Sequence, residues 1–309
     1  MGAQKKTILV VCLHHKFTLL SLPPKRVYNQ TMERPDFYIK ERFFDIAYDK
    51  AKEVLERDTI SLDSFSGLYD PQKIAQAKEY VFKREEAFIH QGQHESRGHK
   101  LGVILEAIVH QHIEQSNWFG EYAQTIKPSR YDDVKHGVDE IIEFQEPEKP
   151  TSHLALGIDA TLNTDKIGTK LKKILTKIDQ GQMTQIEYFI SSDGSYRGEL
   201  NRVPLLIVGA DENTIKNLAD TWINEPRRLA EHPFQLQVLE EVMEQLYFFA
   251  EYAEARSHTD IAARYRQALA VLKPFYLEQN HTGRNRGQRD GFHTNLMAQI
   301  DNLRNLTLK

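Results

Sequence analysis

The chain of 309 residues is 40% hydrophobic and 27% charged, with 16 Gly, 11 Pro and a formal net charge of −4. These values belong to an ordinary globular protein of one large domain or two smaller ones, and they exclude a disordered chain, a collagen-like repeat and a disulfide scaffold. With 40 Lys and Arg against 44 Asp and Glu there is no global basic signature, so any nucleic-acid contact has to come from a local patch.

The first apolar run, residues 8–13, predicts a short strand and holds Cys12, which reads as a small buried side chain. One cysteine cannot form an intramolecular disulfide, so a reducing, cytoplasmic setting is expected. Lys5 and Lys6 imitate the start of a signal peptide, but His14, His15 and Lys16 stop the apolar run early. No run reaches the roughly 20 apolar residues that cross a bilayer, so no membrane partner is expected. Pro23, Pro24 and Pro35 mark residues 21–35 as loop. Apolar periodicity then predicts helices over 37–57 and 71–90, the second opened by Asp70 as N-cap and Pro71 at the first helical position. Residues 1–97 thus read as a mainly helical N-terminal extension.

After a helix over 99–116 the pattern changes to short β-like runs at 121–127, 138–144 and 153–160. A Lys-rich helix over 165–180 follows, then runs at 185–191 and 203–209. The connection between the second and third runs contains Pro147 and Pro150 and suits a hairpin, so the first strands are expected to be antiparallel neighbours. The 165–180 helix is expected to be a crossover that sets the third and fourth runs parallel in a mixed sheet. Residues 98–225 therefore read as an α/β core. Helices predicted over 231–256, 260–272 and 292–306 make residues 226–309 a helical C-terminal segment. Its 281–289 loop carries Arg284 and Arg286, a weak candidate for phosphate contact against the ordinary reading of a solvated connector.

The chemistry-bearing residues are acidic. Glu106 lies at the margin of an apolar helix face, Asp139 just ahead of Ile141 and Ile142, and Asp159 at the end of the run from Leu154 to Ile158. Carboxylates gathered at one end of a sheet repel each other and lose solvation unless a hard divalent cation neutralises them, and Mg²⁺ or Mn²⁺ suits such oxygen donors. Asp132 and Asp133 read instead as turn or cap residues. Gly137 and Gly157 predict close backbone approach beside these acids. His110 and His112 are two apart on a helix, point to different faces and are assigned no role, nor are the other histidines.

In the order helix acid, hairpin Asp, strand-end acid and crossover helix, residues 98–210 resemble the PD-(D/E)XK nuclease superfamily. The match puts Glu106 in the place of the helix acid, Asp139 in that of the first motif acid and Asp159 in that of the second. The resemblance implies a restriction-endonuclease-like mixed sheet flanked by helices. It also implies a magnesium-dependent hydrolase, endo- or exonuclease, that cuts the phosphodiester bonds of nucleic acid, DNA first, with Asp139, Asp159 and Glu106 as metal ligands. The family's motif Lys is replaced here by Thr161. Lys166, Lys170, Lys173 and Lys177 recur along one stripe of the following helix, and Lys170 is the preferred substitute, with the others as a weak nucleic-acid-binding patch. The missing Lys also supports an alternative, a lapsed nuclease-like module that binds nucleic acid or a protein partner. The C-terminal helices would then be the surface for that partner or for a homodimer.

Overall fold

The computed structural model describes residues 35–90, 96–145, 151–159, 164–282 and 287–308. The expectations for Cys12, Thr161, Arg284 and Arg286 fall outside the described residues, as does the side chain of Asp159. Helices α1 (Pro35–Asp58) and α2 (Pro71–His90) precede α3 (Arg97–Gln115), and α4 (Arg130–His136) lies between the first two strands. The strands are β1 (Ala123–Ile126), β2 (Glu140–Phe144), β3 (Ser152–Asp159), β4 (Thr184–Ile190), β5 (Arg197–Val203) and β6 (Leu205–Gly209). Helix α5 (Thr164–Asp179) joins β3 to β4, and α6 (Glu212–Asn224), α7 (Phe234–Ala255), α8 (Thr259–Thr282) and α9 (Gly291–Thr307) complete the chain. None of the described helices is long and apolar enough to cross a membrane.

The protein is α/β, with a mixed four-stranded sheet ordered β1-β2-β3-β6 and helices around it. β1 and β2 pair antiparallel, as do β2 and β3, in line with the expected antiparallel neighbours, although α4 rather than a hairpin turn joins the first pair. β3 and β6 pair parallel, with Asp159 opposite Gly209. Ile142, Phe144, Leu154 and Leu156 turn one face of the sheet into the main core, where they meet the buried stripe Leu101, Ile104, Leu105 and Ile108 of α3.

Three expectations are corrected. The strand after the α5 crossover does not lie beside β3, because β4 pairs antiparallel with β5 in a two-stranded sheet of its own. The 203–209 run divides at Pro204, and its second half, β6, takes the place beside β3. The physical reason is visible in the side chains. β6 reads Leu-Leu-Ile-Val-Gly and is buried almost throughout, as a covered parallel strand requires, whereas β4 mixes buried and half-buried positions. Asp132 and Asp133 sit not in a turn but in the first turn of α4, which Ser129 caps and which Gly137 ends in the left-handed region at φ 68°. Helix α8 runs past residue 272 and through Pro274, where the ring of Phe275 packs against Gly120.

β6 is an outer strand, yet the outward backbone groups of Ile207 and Gly209 are satisfied. Gln245 on α7 accepts from Ile207 N–H at 2.9 Å and donates to Ile207 C=O at 2.6 Å. One turn earlier Glu241 accepts from Gly209 N–H at 3.1 Å, and Gln237 donates to Gly209 C=O at 3.3 Å. Three polar side chains at four-residue spacing, 237, 241 and 245, therefore line one stripe of α7 and stand in for a neighbouring strand. Asp290, the N-cap of α9, accepts from Gln237 at 2.9 Å and from Asp211 N–H at 2.8 Å, which ties α6, α7 and α9 to the end of β6.

Buried His112 supplies a pH dependence. Desolvation, with a smaller push from Lys50, lowers its pKa to about 4, so it is neutral in the folded state at pH 7. Its unfolded value lies near 6.5. As pH falls from about 6.5 toward 4 the unfolded chain takes up the proton first, and stability is lost across that window, by up to about 3 kcal/mol. Urea unfolding at pH 7 and pH 4.5 is expected to show this loss, and His112→Phe is expected to reduce it. An unchanged slope in the variant would assign the acid sensitivity to other groups.

Candidate functional site

The site is built where α3 crosses the ends of β1 and β2. The left-handed cap at Gly137 brings the chain out of α4, directly into Asp139 and then β2. A Cβ on Gly157 would stand 3.1 Å from Gly137 C=O, so the expected close backbone approach is present, and a larger residue would force one of the two segments to shift by a few tenths of an ångström. Asp139 is thereby held against the end of β3. Its N–H donates to Leu156 C=O at 2.9 Å, and its Oδ2 accepts from Ile158 N–H at 2.6 Å, one residue before Asp159.

Lys127, just past β1, lies among the acids. It is 5% exposed, its Nζ donates to Asp139 C=O at 2.8 Å, and it pairs with Glu106 Oε1 at 2.5 Å. Glu106 and Asp139 are thus brought together on one ammonium group. Burial opposes the charge on Lys127, but Glu106, Asp133, Asp139 and Glu140 outweigh it and hold the group protonated. For Asp139, burial followed by the charges of Asp133 and Glu106 raises its pKa to about 8, against the pull of Lys127 and of Ile158 N–H. Glu106 moves up as well, through burial first and Asp133 next among the raising causes. Asp133 also ion-pairs with Arg130, which reaches Glu85 at 2.7 Å.

Four residues along α3 from Glu106, on the same face, stands His110. The role that sequence spacing does not give it is plain in the fold. Its Nδ1 lies 2.8 Å from Glu140 Oε2 and its Nε2 3.2 Å from Asp58 Oδ2, both within hydrogen-bond reach. Burial lowers the pKa of this imidazole, but the two carboxylates reverse that and raise it overall. Glu140 is fully buried, and its second oxygen, Oε1, has no hydrogen-bond partner. His110 and Lys127 both line a cleft of about 530 Å³, together with Arg57, Asp58, Gln111, Glu114, Thr125, Ser191 and Ser192. This is a polar wall of hydroxyls, amides and charges, close to the sheet end that carries the acids.

The remaining sequence candidates are distributed as follows. The backbone of Asp159 ends β3, opposite Gly209. Asp132 is fully buried and structural: its carboxylate accepts from Glu187 N–H at 2.7 Å and Tyr188 N–H at 3.1 Å, which pins β4 to α4. On α5, Ile167, Leu171, Ile174, Leu175 and Ile178 are buried, Lys166 and Lys173 are exposed, and Lys170 and Lys177 are half-buried. Lys177 donates to Thr184 Oγ1 at 3.3 Å, so part of that stripe supports the fold.

The donor set fits a hard divalent cation. It consists of the desolvated carboxylates of Glu106 and Asp139, of which Lys127 pairs only with that of Glu106, and it includes the orphaned Glu140 Oε1. Among the described residues, no group of three His, Cys, Asp or Glu stands ready-made around one point. Comparison with family models, curated proteins and solved structures returns no match.

Proposed function

We propose that the protein is a divalent-cation-dependent nuclease that hydrolyses phosphodiester bonds, with DNA as the first substrate to test. One observation carries the reading: a desolvated lysine held between the carboxylate of helix-borne Glu106 and the main-chain carbonyl of Asp139, just ahead of β2, where β3 delivers Asp159. The mixed sheet supports it in part: two antiparallel pairings and a parallel one surround the acids, but the parallel strand is β6 and not the strand that follows the α5 crossover.

Glu106, Asp139 and Asp159 would hold Mg²⁺ or Mn²⁺, which would polarise the phosphoryl group and acidify a bound water. Lys127 presents a fixed ammonium group to charge that develops on the phosphate, in a site with little water to screen it. That is the task of the family's motif lysine, and Lys127 thereby becomes the leading substitute over Lys170. Arg57, Thr125, Ser191 and Ser192 offer hydrogen bonds and charge along the cleft, suited to a sugar-phosphate backbone rather than to base edges.

The binding-module alternative also has an observation behind it, because Lys127 already neutralises Glu106. Cleavage of linear, circular and single-stranded substrates with Mg²⁺, Mn²⁺ or EDTA separates the two readings. Cation-dependent cutting that Asp159→Ala abolishes is the expected result. Binding of those substrates without cutting, even in Mn²⁺ at high protein concentration, would replace the nuclease with the binding module.

A further inference from the structure

The family resemblance accounts for Glu106, Asp139 and Asp159 but gives no part to Glu140, the residue after Asp139. Glu140 is fully buried on β2, and its carboxylate is held asymmetrically: Oε2 lies 2.8 Å from His110 Nδ1, and Oε1 is buried with no partner. Leaving a carboxylate oxygen desolvated and unpaired is costly, and folded proteins rarely do so without a reason. The charge of this carboxylate is felt by both Glu106 and Lys127, so Glu140 adjoins the same cluster. His110, which holds the other oxygen of Glu140, and Lys127, which pairs with Glu106, both line the adjoining cleft.

We infer that Glu140 is a ligand of the divalent cation through Oε1, shared with Glu106, and that His110 is the positioning residue that fixes its orientation. A ligating carboxylate is commonly held in this way by a hydrogen bond to its other oxygen. The inferred donors are carboxylate oxygens, and the inferred occupants are therefore Mg²⁺ and Mn²⁺ rather than a soft metal. The inference rests on the cation-dependent reading of the site, but not on catalysis. Glu143, on the same strand, is the natural control: it is also buried, yet both its oxygens are occupied, by His153 at 3.0 Å and by Ser192 N–H at 2.9 Å.

The test uses Mn²⁺ alone, titrated calorimetrically into the full chain, with melting curves to confirm folding. Glu140→Gln is expected to weaken Mn²⁺ binding at least tenfold, and Glu143→Gln is expected to leave it unchanged. In the wild type, which removes any question of misfolding, Mn²⁺ is expected to broaden the His110 imidazole resonances well before those of His153. Wild-type affinity in Glu140→Gln, or equal broadening of the two histidines, overturns the inference. Mn²⁺ binding that depends on Glu140 without any cleavage of nucleic acid keeps the inference and removes the nuclease. Cleavage in Mg²⁺ together with wild-type Mn²⁺ affinity in Glu140→Gln does the reverse.

Discussion

Lys127→Met is expected to reduce cleavage at least 100-fold. Loss of one fixed donor aimed at developing charge costs about 10²–10³ in rate in well-studied cases. Here the ammonium group also holds the Asp139 carbonyl and the Glu106 carboxylate, so its loss disturbs two further groups. Breaking a buried pair by removing one partner costs about 3–5 kcal/mol when the other stays charged. The actual cost is expected at the lower end, because Glu106, already shifted upward, can take a proton instead. Melting curves measured beside the rates separate lost folding from lost chemistry. Lys170→Ala in the same assay decides between the two lysines: the larger loss belongs to the residue that faces the phosphate, and a larger loss in Lys170→Ala would move that role to α5.

Gln245→Leu carries the second large effect, on stability alone. The substitution keeps the side chain's bulk but removes both hydrogen bonds to Ile207, leaving a buried N–H and a buried C=O without partners. Each such group costs about 1–3 kcal/mol, so a loss of roughly 3–5 kcal/mol is expected. Urea unfolding reads it as a lower midpoint at unchanged slope. Glu241, one turn away, answers differently. Burial raises its pKa to about 7, although His293 and Gly209 N–H pull it down. A folded value above the unfolded one means stability is lost as pH rises from about 4.5 to 7. The α7 strap is therefore tightest in mild acid. A Gln245→Leu protein as stable as the wild type would show that β6 does not depend on this strap.

Much of the fold is legible in the chain because burial leaves a periodic trace. The stripe Leu101, Ile104, Leu105, Ile108 marks α3, and Ile167, Leu171, Ile174, Ile178 marks α5, since each must cover apolar surface on one side. Strands β1 to β3 are legible for the same reason, and the antiparallel pairing of β2 with β3 follows from their short connection. The partner of β3 is not legible, because alternation along a strand says which face is buried and nothing about the neighbour. Helix α4 is hidden by its own composition: Ser129, Asp132 and Asp133 carry the signals of a turn, and those signals here serve a cap.

At the site, the acids nearest the strand ends, Glu106 and Asp139, stand out as charges beside apolar runs. Lys127 does not, since a lysine followed by Pro128 at the end of a strand looks like any solvated charge. Only the fold shows that α3 closes over it. His110 is hidden for a related reason. Spacing tests whether two histidines can chelate one ion, but His110 works with carboxylates contributed by α1 and β2, at Asp58 and Glu140. A buried charge recruits its partners from distant segments, and a short motif contains none of that information.

The most direct test is the single-turnover rate at which wild type and Asp139→Asn cut a labelled DNA oligonucleotide in Mg²⁺, with both proteins shown to be folded. Asparagine keeps the size and the acceptor for Ile158 N–H but removes the charge. The predicted result is metal-dependent cutting by the wild type and a rate lower by about 10³ or more in the variant, equivalent to roughly 4 kcal/mol of lost transition-state stabilisation. Equal rates in the two proteins, or no cutting by the wild type in Mg²⁺ or Mn²⁺, would contradict the account.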